Sequence, residues 1–265
     1  MTTLLRIDAS ARGARSLTRS LADALLERLV DADPALEILR RDVGRAPPAI
    51  ISEDWIAAAF TPPERRGPAE AALLAPSDAL IEELRRADRV VIATPMYNYG
   101  MPAALKAWFD QVIRIGETFT FDRARGDRPL EPILSGKTLA LLTSWGEFGF
   151  GAGEINDGAD HLTPHVRTAA RYLGVEAVHH VGVEYQEFGD ARHAASKAAG
   201  SSARAASGER LRERGQRGVG RRFGRRVSRV AELLVLDADM VDGLDAEIAR
   251  GRAHMRREMV RPVID

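Results

Sequence analysis

The chain contains no cysteine among its 265 residues. This absence excludes disulfide bonds, thiolate nucleophiles and metal centres held by cysteine. The sequence also lacks any apolar run near the ~18 residues that would suggest a membrane span. Its first residues show no basic segment followed by a long apolar stretch, so we expect no signal peptide and a cytoplasmic location. Because there is no cysteine, any redox chemistry would need a bound organic cofactor to carry the electrons.

Lysine is scarce, and the charge is unevenly distributed. The 38 basic and 38 acidic residues cancel, but 15 arginines lie within 201–265. The first 200 residues are therefore mildly acidic, which does not favour nucleic-acid binding. Residues 201–229 combine many arginines with little apolar content, a composition that cannot fold alone. We predict a folded domain over 1–200 and an Arg-rich, disordered extension over 201–265 with a candidate helix at 230–259.

Short apolar runs alternate with helical patterns through the first 200 residues. The runs predict five strands, at 4–8, 36–43, 89–94, 138–144 and 177–185. Helical patterns lie between and after them, at 18–30, 70–86, 102–115, 161–173 and 190–199, and Pro76 is expected to break or kink the second. Residues 44–68, which are rich in Pro and Gly, are expected to form a loop that contains a short helix. This alternation predicts an α/β fold, a flavodoxin-like doubly wound parallel sheet with helices on both faces. Ligands of such sheets bind at the carboxyl ends of the strands, here the loops 9–18, 95–101 and 144–153.

The first of these loops carries hydroxyl side chains between a strand and a helix. Ser10, Ser16 and Thr18 lie where hydroxyls and backbone N–H groups could bind a phosphate. Ordinary capping of the helix by Ser16 would explain the pattern equally well. The loop is neither a Walker A loop nor a G-x-G-x-x-G dinucleotide fingerprint.

The second loop, 94–102 (TPMYNYGMP), is the most informative segment. It directly follows the most β-branched strand and presents two tyrosines, a methionine and an asparagine. Pro95 fixes one backbone angle, and Gly100 permits an unusual one. Such a segment could form the wall for a planar ring, with apolar faces and an amide at the edge. A buried structural turn is the alternative.

Residues 95–121, PMYNYGMPAALKAWFDQVIRIGETFTF, resemble the core of the FMN-dependent NADH-azoreductase and quinone-reductase family. In that family a strand leads into P-M-Y-N-[FY] and then into a helix of the form LKxWFD. The matching helix residues here are Leu105, Lys106, Trp108, Phe109 and Asp110. The N-terminal strand and its serines agree in spacing, so the resemblance extends over residues 1–200.

The resemblance implies a site for tightly bound, non-covalent FMN. It assigns the phosphate to Ser10, Ser16, Leu17 and Thr18, and the isoalloxazine ring to Met96, Tyr97, Asn98 and Tyr99. The third loop would meet the pyrimidine edge of the flavin through Ser144, Trp145, Gly146 and Glu147. Azoreductases commonly have Ser-Arg-Gly-Gly there, so Trp145 and Glu147 depart from the pattern. A carboxylate beside the flavin would disfavour the anionic reduced form, unless Glu147 points away.

Three further aromatics are candidates for a substrate pocket. Family members are homodimers with the active site between subunits, so the resemblance implies that Phe119 and Phe121 help to line it; a place in the core is the alternative. Phe150 belongs to a glycine-rich segment, 149–153, that we expect to lie over the site. The histidines do not form a recognisable metal set, and no acid–base catalytic residue is nominated.

These features lead to one hypothesis and two alternatives. The hypothesis is a ping-pong oxidoreductase: NAD(P)H gives hydride to FMN and leaves, and a flat quinone or azo compound then accepts two electrons. The first alternative is a flavodoxin-like electron carrier that does not oxidise NAD(P)H itself. The second is a flavin domain whose basic tail binds nucleic acid or an acidic partner, although the sequence shows no nucleic-acid-binding motif.

Overall fold

The computed structural model describes residues 2–196. The predicted Arg-rich extension, the domain boundary at residue 200 and the helix at 230–259 lie outside the described residues. Between 2 and 196, no helix is long and apolar enough to cross a membrane.

A five-stranded parallel sheet organises the fold. Its strands are β1 (Thr3–Asp8), β2 (Glu37–Asp42), β3 (Arg89–Pro95), β6 (Lys137–Ser144) and β7 (Val175–Val183). They lie in the order β2-β1-β3-β6-β7, which places the reversal of strand order between β1 and β3. β1 is buried along its whole length and β3 along nearly all of it, which explains their continuous apolar sequences. The predicted flavodoxin-like sheet is thereby confirmed.

Five α-helices connect these strands. They are α1 (Leu17–Ala32), α2 (Glu53–Phe60), α3 (Pro68–Arg86), α4 (Ala103–Val112) and α5 (Thr163–Ala170), and 191–196 are also helical. The helices α1, α3, α4 and α5 begin and end within three residues of the bounds expected from the sequence. The helix α2 is the short helix expected in the Pro/Gly-rich segment after β2. Of the break or kink expected at Pro76, the break is wrong, because α3 runs through this residue. Buried side chains on both sides of Pro76, such as Leu74 and Leu80, hold one helix against the core.

The helices cover both faces of the sheet and create two cores. On one face α1 packs through Leu21, Leu25 and Leu29 against side chains of β1, β3, β6 and β7. On the other face α3, α4 and α5 enclose a larger core in which Trp108 and Phe109 are fully buried. The Trp-Phe pair of the LKxWFD motif is thus a packing feature that fixes α4 to the sheet.

A two-stranded antiparallel sheet was not predicted from the sequence. It consists of β4 (Phe119–Phe121) and β5 (Leu130–Pro132), inserted between α4 and β6. Each strand has only three residues, too few for an alternating pattern to stand out.

Candidate functional site

The three loops selected from the sequence meet at one edge of the sheet. Asp8 pairs with Ala93 at the ends of β1 and β3, and Pro95 pairs with Ser144 at the ends of β3 and β6. Backbone hydrogen bonds continue this contact beyond the strands, from Ala9 N to Ala93 O and from Met96 N to Ser144 O, both 2.9 Å. The loops therefore form one continuous surface at the reversal of strand order.

The first loop delivers its hydroxyls to the start of α1. Ser16 is the N-cap residue, and its Oγ accepts a hydrogen bond from Arg19 N at 3.4 Å. The same Oγ lies 3.2 Å from Oγ1 of Thr18, and Oγ of Ser10 accepts from Arg12 N at 3.2 Å. All three hydroxyl-bearing residues are buried. The cap reading of Ser16 is thus confirmed, while the hydroxyl cluster goes beyond what a cap requires.

The chemistry of this loop suits a phosphate. The backbone N–H groups of Leu17 and Thr18 open the helix, where no carbonyl of the helix can accept from them. No acidic residue occupies the first turn of α1, so the partial positive charge of the helix end is not compensated there. The one carboxylate at the end of β1, Asp8, is held by Arg6 at 2.8 Å. These residues fit the phosphate of FMN.

Gly44 makes room for the first loop and was not recognised in the sequence. It follows β2, and a β-carbon built on it would lie 2.2 Å from Ser10 O and 2.6 Å from Ser10 C. Gly44 N also donates to Asp8 O at 3.0 Å. Any larger residue would displace the backbone of the loop, because the contact is with main-chain atoms.

The second loop is a tight turn with a strained backbone. Tyr97 and Gly100 exchange two backbone hydrogen bonds, of 2.9 and 3.0 Å, around Asn98 and Tyr99. The positive φ angles occur at Asn98 (47°) and Tyr99 (64°), and Gly100 does not use the freedom that glycine permits, because it is not in the left-handed region. Asparagine tolerates this conformation, whereas tyrosine rarely adopts it. Strain of this kind concentrates at functional sites, where the surrounding structure enforces it.

This turn presents its aromatic rings to solvent beside the first loop. Tyr97 and Tyr99 are 38% and 42% exposed, which rules out the alternative of a buried structural turn. Met96 packs against the core below them. The hydroxyl of Tyr97 accepts a hydrogen bond from Ala11 N at 3.3 Å, so the first and second loops are directly joined.

Trp145 turns away from this surface. Its ring packs on β7, with its centroid 5.5 Å from that of His180, and it covers Gly182. Its backbone N donates to Val183 O at 2.8 Å and its carbonyl accepts from Gln186 N at 3.0 Å. Trp145 therefore shapes the third loop from inside, where the family pattern has an arginine.

Glu147 lies at the mouth of the site. Its two carboxylate oxygens accept from the Tyr99 hydroxyl at 3.1 and 3.2 Å, and one accepts from Asn156 Nδ2 at 3.3 Å. The hydrogen bond to Glu147 raises the pKa of Tyr99. Glu147 is exposed, so it does not point into the protein, but Tyr99 of the second loop and Asn156, just beyond the third loop, donate hydrogen bonds to its carboxylate.

Glu184, which follows β7, anchors the glycine-rich segment. Its Oε1 accepts from Gly149 N at 3.1 Å and from Phe150 N at 3.5 Å. Burial raises the pKa of Glu184, and the two backbone donors partly oppose this rise. Phe150 then lies between two site residues, with ring centroids 5.6 Å from Trp145 and 6.5 Å from Tyr99. The third loop thus lies beside the second loop.

Phe119 and Phe121 are not brought to this site within one chain. Phe119 contacts Tyr172, which lies in the short turn of helix before β7, with ring centroids 5.6 Å apart. Nearby Glu117 pairs with Arg85 at the end of α3, just before β3 begins. The short sheet therefore lies at the amino-terminal edge of the main sheet, opposite the three loops. Phe121 is 51% exposed there.

The sheet order and the loop surface define a flavodoxin-like α/β protein. The profile of the family described as having a flavodoxin-like fold matches residues 2–206. The chain is 52% identical over 200 residues to the FMN-dependent NADH:quinone oxidoreductase 2 of Colwellia psychrerythraea, an alignment that spans 73% of this chain and 91% of that protein. The enzyme of the same name from Idiomarina loihiensis is 51% identical over 205 residues, or 75% of this chain and 85% of its own length. The chain belongs to the flavodoxin-like family of FMN-dependent NADH:quinone oxidoreductases.

Solved structures agree on the fold. An azoreductase from Bacillus anthracis str. Sterne superposes with a TM-score of 0.67 at 22% identity, covering 76% of this chain and 95% of that one. An FMN-dependent NADH-azoreductase from Bacillus anthracis str. Ames Ancestor, solved in complex with FMN, gives a TM-score of 0.64 at 15% identity and covers 77% and 99% of the two chains. The family resemblance found in residues 95–121 is confirmed.

Proposed function

We propose that this protein is an FMN-dependent oxidoreductase that passes two electrons from NAD(P)H to quinones or azo compounds. The observation that carries the proposal is the direct junction of two loops of different chemistry. A buried hydroxyl cluster at the start of α1 suits a phosphate, and the second loop offers half-exposed rings. A hydrogen bond from Ala11 N to Tyr97 Oη joins the two loops. FMN has this same division into an anionic end and a planar end.

Each loop would contribute a different part of FMN binding. Ser10, Ser16 and Thr18, with the first backbone N–H groups of α1, would hold the phosphate. The turn would hold the ring system through Met96, Tyr97, Asn98 and Tyr99. The third loop would meet the ring edge through Ser144 and Gly146, with Glu147 at the rim and Trp145 supporting the loop from below. When bound, FMN supplies the two-electron chemistry, and the protein supplies position and electrostatics.

The accessible rings of the second loop support a mechanism in which NAD(P)H and the electron acceptor bind in turn at one open face of the site. Tyr97 and Tyr99 remain open to solvent, and Phe150 stands beside them. One open face of this kind can admit a nicotinamide and, after its departure, a flat acceptor. The ping-pong order is therefore part of the proposal, as is a cytoplasmic location, which rests on the sequence alone.

We further propose that the active enzyme is a homodimer in which one subunit completes the pocket of the other. Phe119 and Phe121 lie at the sheet edge opposite their own site, so only another chain could bring them to it. The exposed apolar side chains include Phe121, Leu130 in the short sheet and Ile133 directly after it, a group that a partner surface would cover. Light scattering of the purified protein tests the dimer, and Phe121→Asp is expected to yield monomers with poor acceptor turnover.

Absorbance spectroscopy under anaerobic conditions tests the activity. The purified protein is expected to show flavin bands that bleach on addition of NADH or NADPH and return when a soluble quinone is added. Bands that persist after both reductants would favour an electron carrier reduced by a partner protein. If no bands form even after incubation with FMN, the flavin site is contradicted.

A further inference from the structure

Arg19 lies directly behind the first loop. It is the third residue of α1, a position that in the sequence resembles an ordinary charged position on a helix surface. Its side chain is only 13% exposed. The guanidinium donates to two carbonyl oxygens of the loop, from Nη2 to Ser10 O at 2.8 Å and from Nε to Arg12 O at 2.9 Å. Both nitrogens of its outer fork also donate to Asp42 of β2, at 2.6 and 2.7 Å.

We propose that Arg19 is a positioning residue that holds the first loop in its anion-binding shape by drawing loop carbonyls to the side away from the ligand. The proposal rests on the assignment of this loop to the FMN phosphate. Arg19 would not touch the phosphate, because its donors already bind Ser10, Arg12 and Asp42.

The geometry of the peptide group connects these contacts to anion binding. In a planar trans peptide, the carbonyl of one residue and the N–H of the next point in opposite directions. When Arg19 binds the carbonyls of Ser10 and Arg12, the N–H groups of Ala11 and Gly13 must therefore point away from it. The N–H group of Ala11 does point away from Arg19, because it donates to Tyr97 Oη in the second loop.

Asp42 fixes the guanidinium so that its hydrogen bonds are directional. A bidentate arginine–carboxylate pair restrains the plane of the fork as well as its distance. The same pair largely neutralises the charge of Arg19. For this reason we attribute the effect to the orientation of the loop and not to direct attraction of the phosphate. Arg6 extends the support, since its Nη2 donates to Arg19 O at 3.2 Å.

A purely structural role is the competing explanation, since Arg19 also ties α1 to β2. The two roles differ in the ligand they affect. A loop-orienting residue should matter for FMN, whose phosphate the loop binds, and hardly at all for riboflavin, which has the same ring and no phosphate. A general loss of structure would weaken both ligands alike.

The test is flavin binding to the full-length apoprotein, followed by flavin fluorescence. We expect Arg19→Ala to weaken FMN binding by about tenfold or more, as the loss of several charge-assisted hydrogen bonds would. Riboflavin binding should change by about twofold or less. Arg19→Lys, which keeps the charge without the planar fork, should fall in between, and Asp42→Asn should give a smaller FMN-selective loss.

Arg41→Ala is the matched control. Arg41 precedes Asp42 on β2 and pairs with Glu83 of α3, so its removal breaks an ion pair of the same strand without touching the loop. It should leave the FMN-to-riboflavin ratio unchanged. Inorganic phosphate serves as a second probe, which should raise the melting temperature of the wild-type apoprotein and of Arg41→Ala but not that of Arg19→Ala.

Three results would overturn the proposal. An equal loss of FMN and riboflavin in the Arg19 variants would assign the residue a structural role only. Unchanged FMN affinity in a folded Arg19→Ala protein would remove it from the site altogether. Failure of the wild type to bind FMN would contradict the proposed function itself, and it is distinguished from the other two because no variant is needed to see it.

Discussion

Tyr99 and Glu147 connect the second loop to the third loop through the Tyr99 hydroxyl, which lies 3.1 and 3.2 Å from the two carboxylate oxygens. These residues come from the ends of neighbouring strands, β3 and β6. The family pattern has glycine where this chain has Glu147. A negative charge therefore stands at the rim of the proposed flavin site, fixed by a residue whose backbone is itself strained.

Removal of this charge should make the bound flavin easier to reduce. A carboxylate opposes the build-up of negative charge on its neighbour, so Glu147→Gln is expected to raise the reduction potential of the flavin. Because Glu147 is exposed and screened, the shift should be modest, on the order of 10 to 20 mV, and should shrink as salt is added. Anaerobic titration against a dye of known potential measures it.

The control for this substitution is Glu82→Gln. Glu82 is also exposed and paired, with Arg85 at 4.0 Å, but it lies near the end of α3, away from the three loops. It should leave the potential unchanged. A fall in potential for Glu147→Gln, or an equal shift in both variants, would show that Glu147 does not act on the flavin.

Glu184 should make stability depend on pH in a predictable direction. Burial raises its pKa above the ordinary value of 4.5, so the folded protein retains a proton that the unfolded chain has released. The unfolding free energy contributed by this group is therefore present below pH 4.5 and is lost as pH rises through the folded pKa. Asp42 and Glu117, whose pKa values are lowered, contribute in the opposite sense.

Glu184→Gln isolates this contribution, because glutamine can accept the same backbone N–H groups but cannot ionise. Melting temperatures from pH 4 to 8 should decline less, or rise more, with pH in the variant than in the wild type. Glu176→Gln is the control, since Glu176 accepts Gly136 N at 2.9 Å from an exposed position. Parallel pH curves for wild type and Glu184→Gln would contradict the prediction.

Gly44 should tolerate no side chain. In Gly44→Ala the new methyl group would overlap Ser10 O, at 2.2 Å, so the first loop or the end of β2 must move. We expect a loss of about 1 to 3 kcal/mol in the free energy of unfolding, together with weaker FMN binding. Urea denaturation and flavin titration measure the two effects.

Gly67→Ala provides the comparison for Gly44. Gly67 has an extended backbone with φ −81°, and its closest neighbour would be the flexible side chain of Glu70, at 3.0 Å. This substitution should cost little stability and no FMN affinity. Full FMN affinity in a destabilised Gly44→Ala protein would mean that β2, and not the loop, gives way.

The sequence predicts the parts of this fold that depend on local pattern. The β-branched run 89–94 identified β3 to within one residue, and the serine spacing identified the start of α1. Contacts between distant segments left no such signal. Gly44 meets Ser10, and Arg19 meets Asp42, only after β1 and β2 have paired.

Other features were missed because several local solutions compete. Gly100 was the obvious residue for an unusual φ, but the two hydrogen bonds between Tyr97 and Gly100 place the left-handed positions on Asn98 and Tyr99. The orientation of Trp145 likewise depends on the space that Gly182 leaves for its ring. Gly182 lies on β7, nearly forty residues later in the chain. Family patterns identify the loop but do not determine which way such a substituted side chain points.

Gly182 and Trp145 should therefore behave as a complementary pair. A β-carbon built on Gly182 would lie 2.2 Å from Cζ3 and 2.4 Å from Cη2 of Trp145. Gly182→Ala is expected to push the indole outward and to move the third loop, which raises KM for the acceptor while the first loop continues to hold FMN. Intrinsic tryptophan fluorescence should change with it, since Trp145 would leave its buried position.

Trp145→Leu alone should leave a cavity that costs about 2 to 4 kcal/mol. In the double variant the alanine methyl group fills part of that cavity, so the two losses should sum to more than the loss measured for the pair, by about 1 kcal/mol or more. Strictly additive losses in urea denaturation would mean that Gly182 and Trp145 act independently.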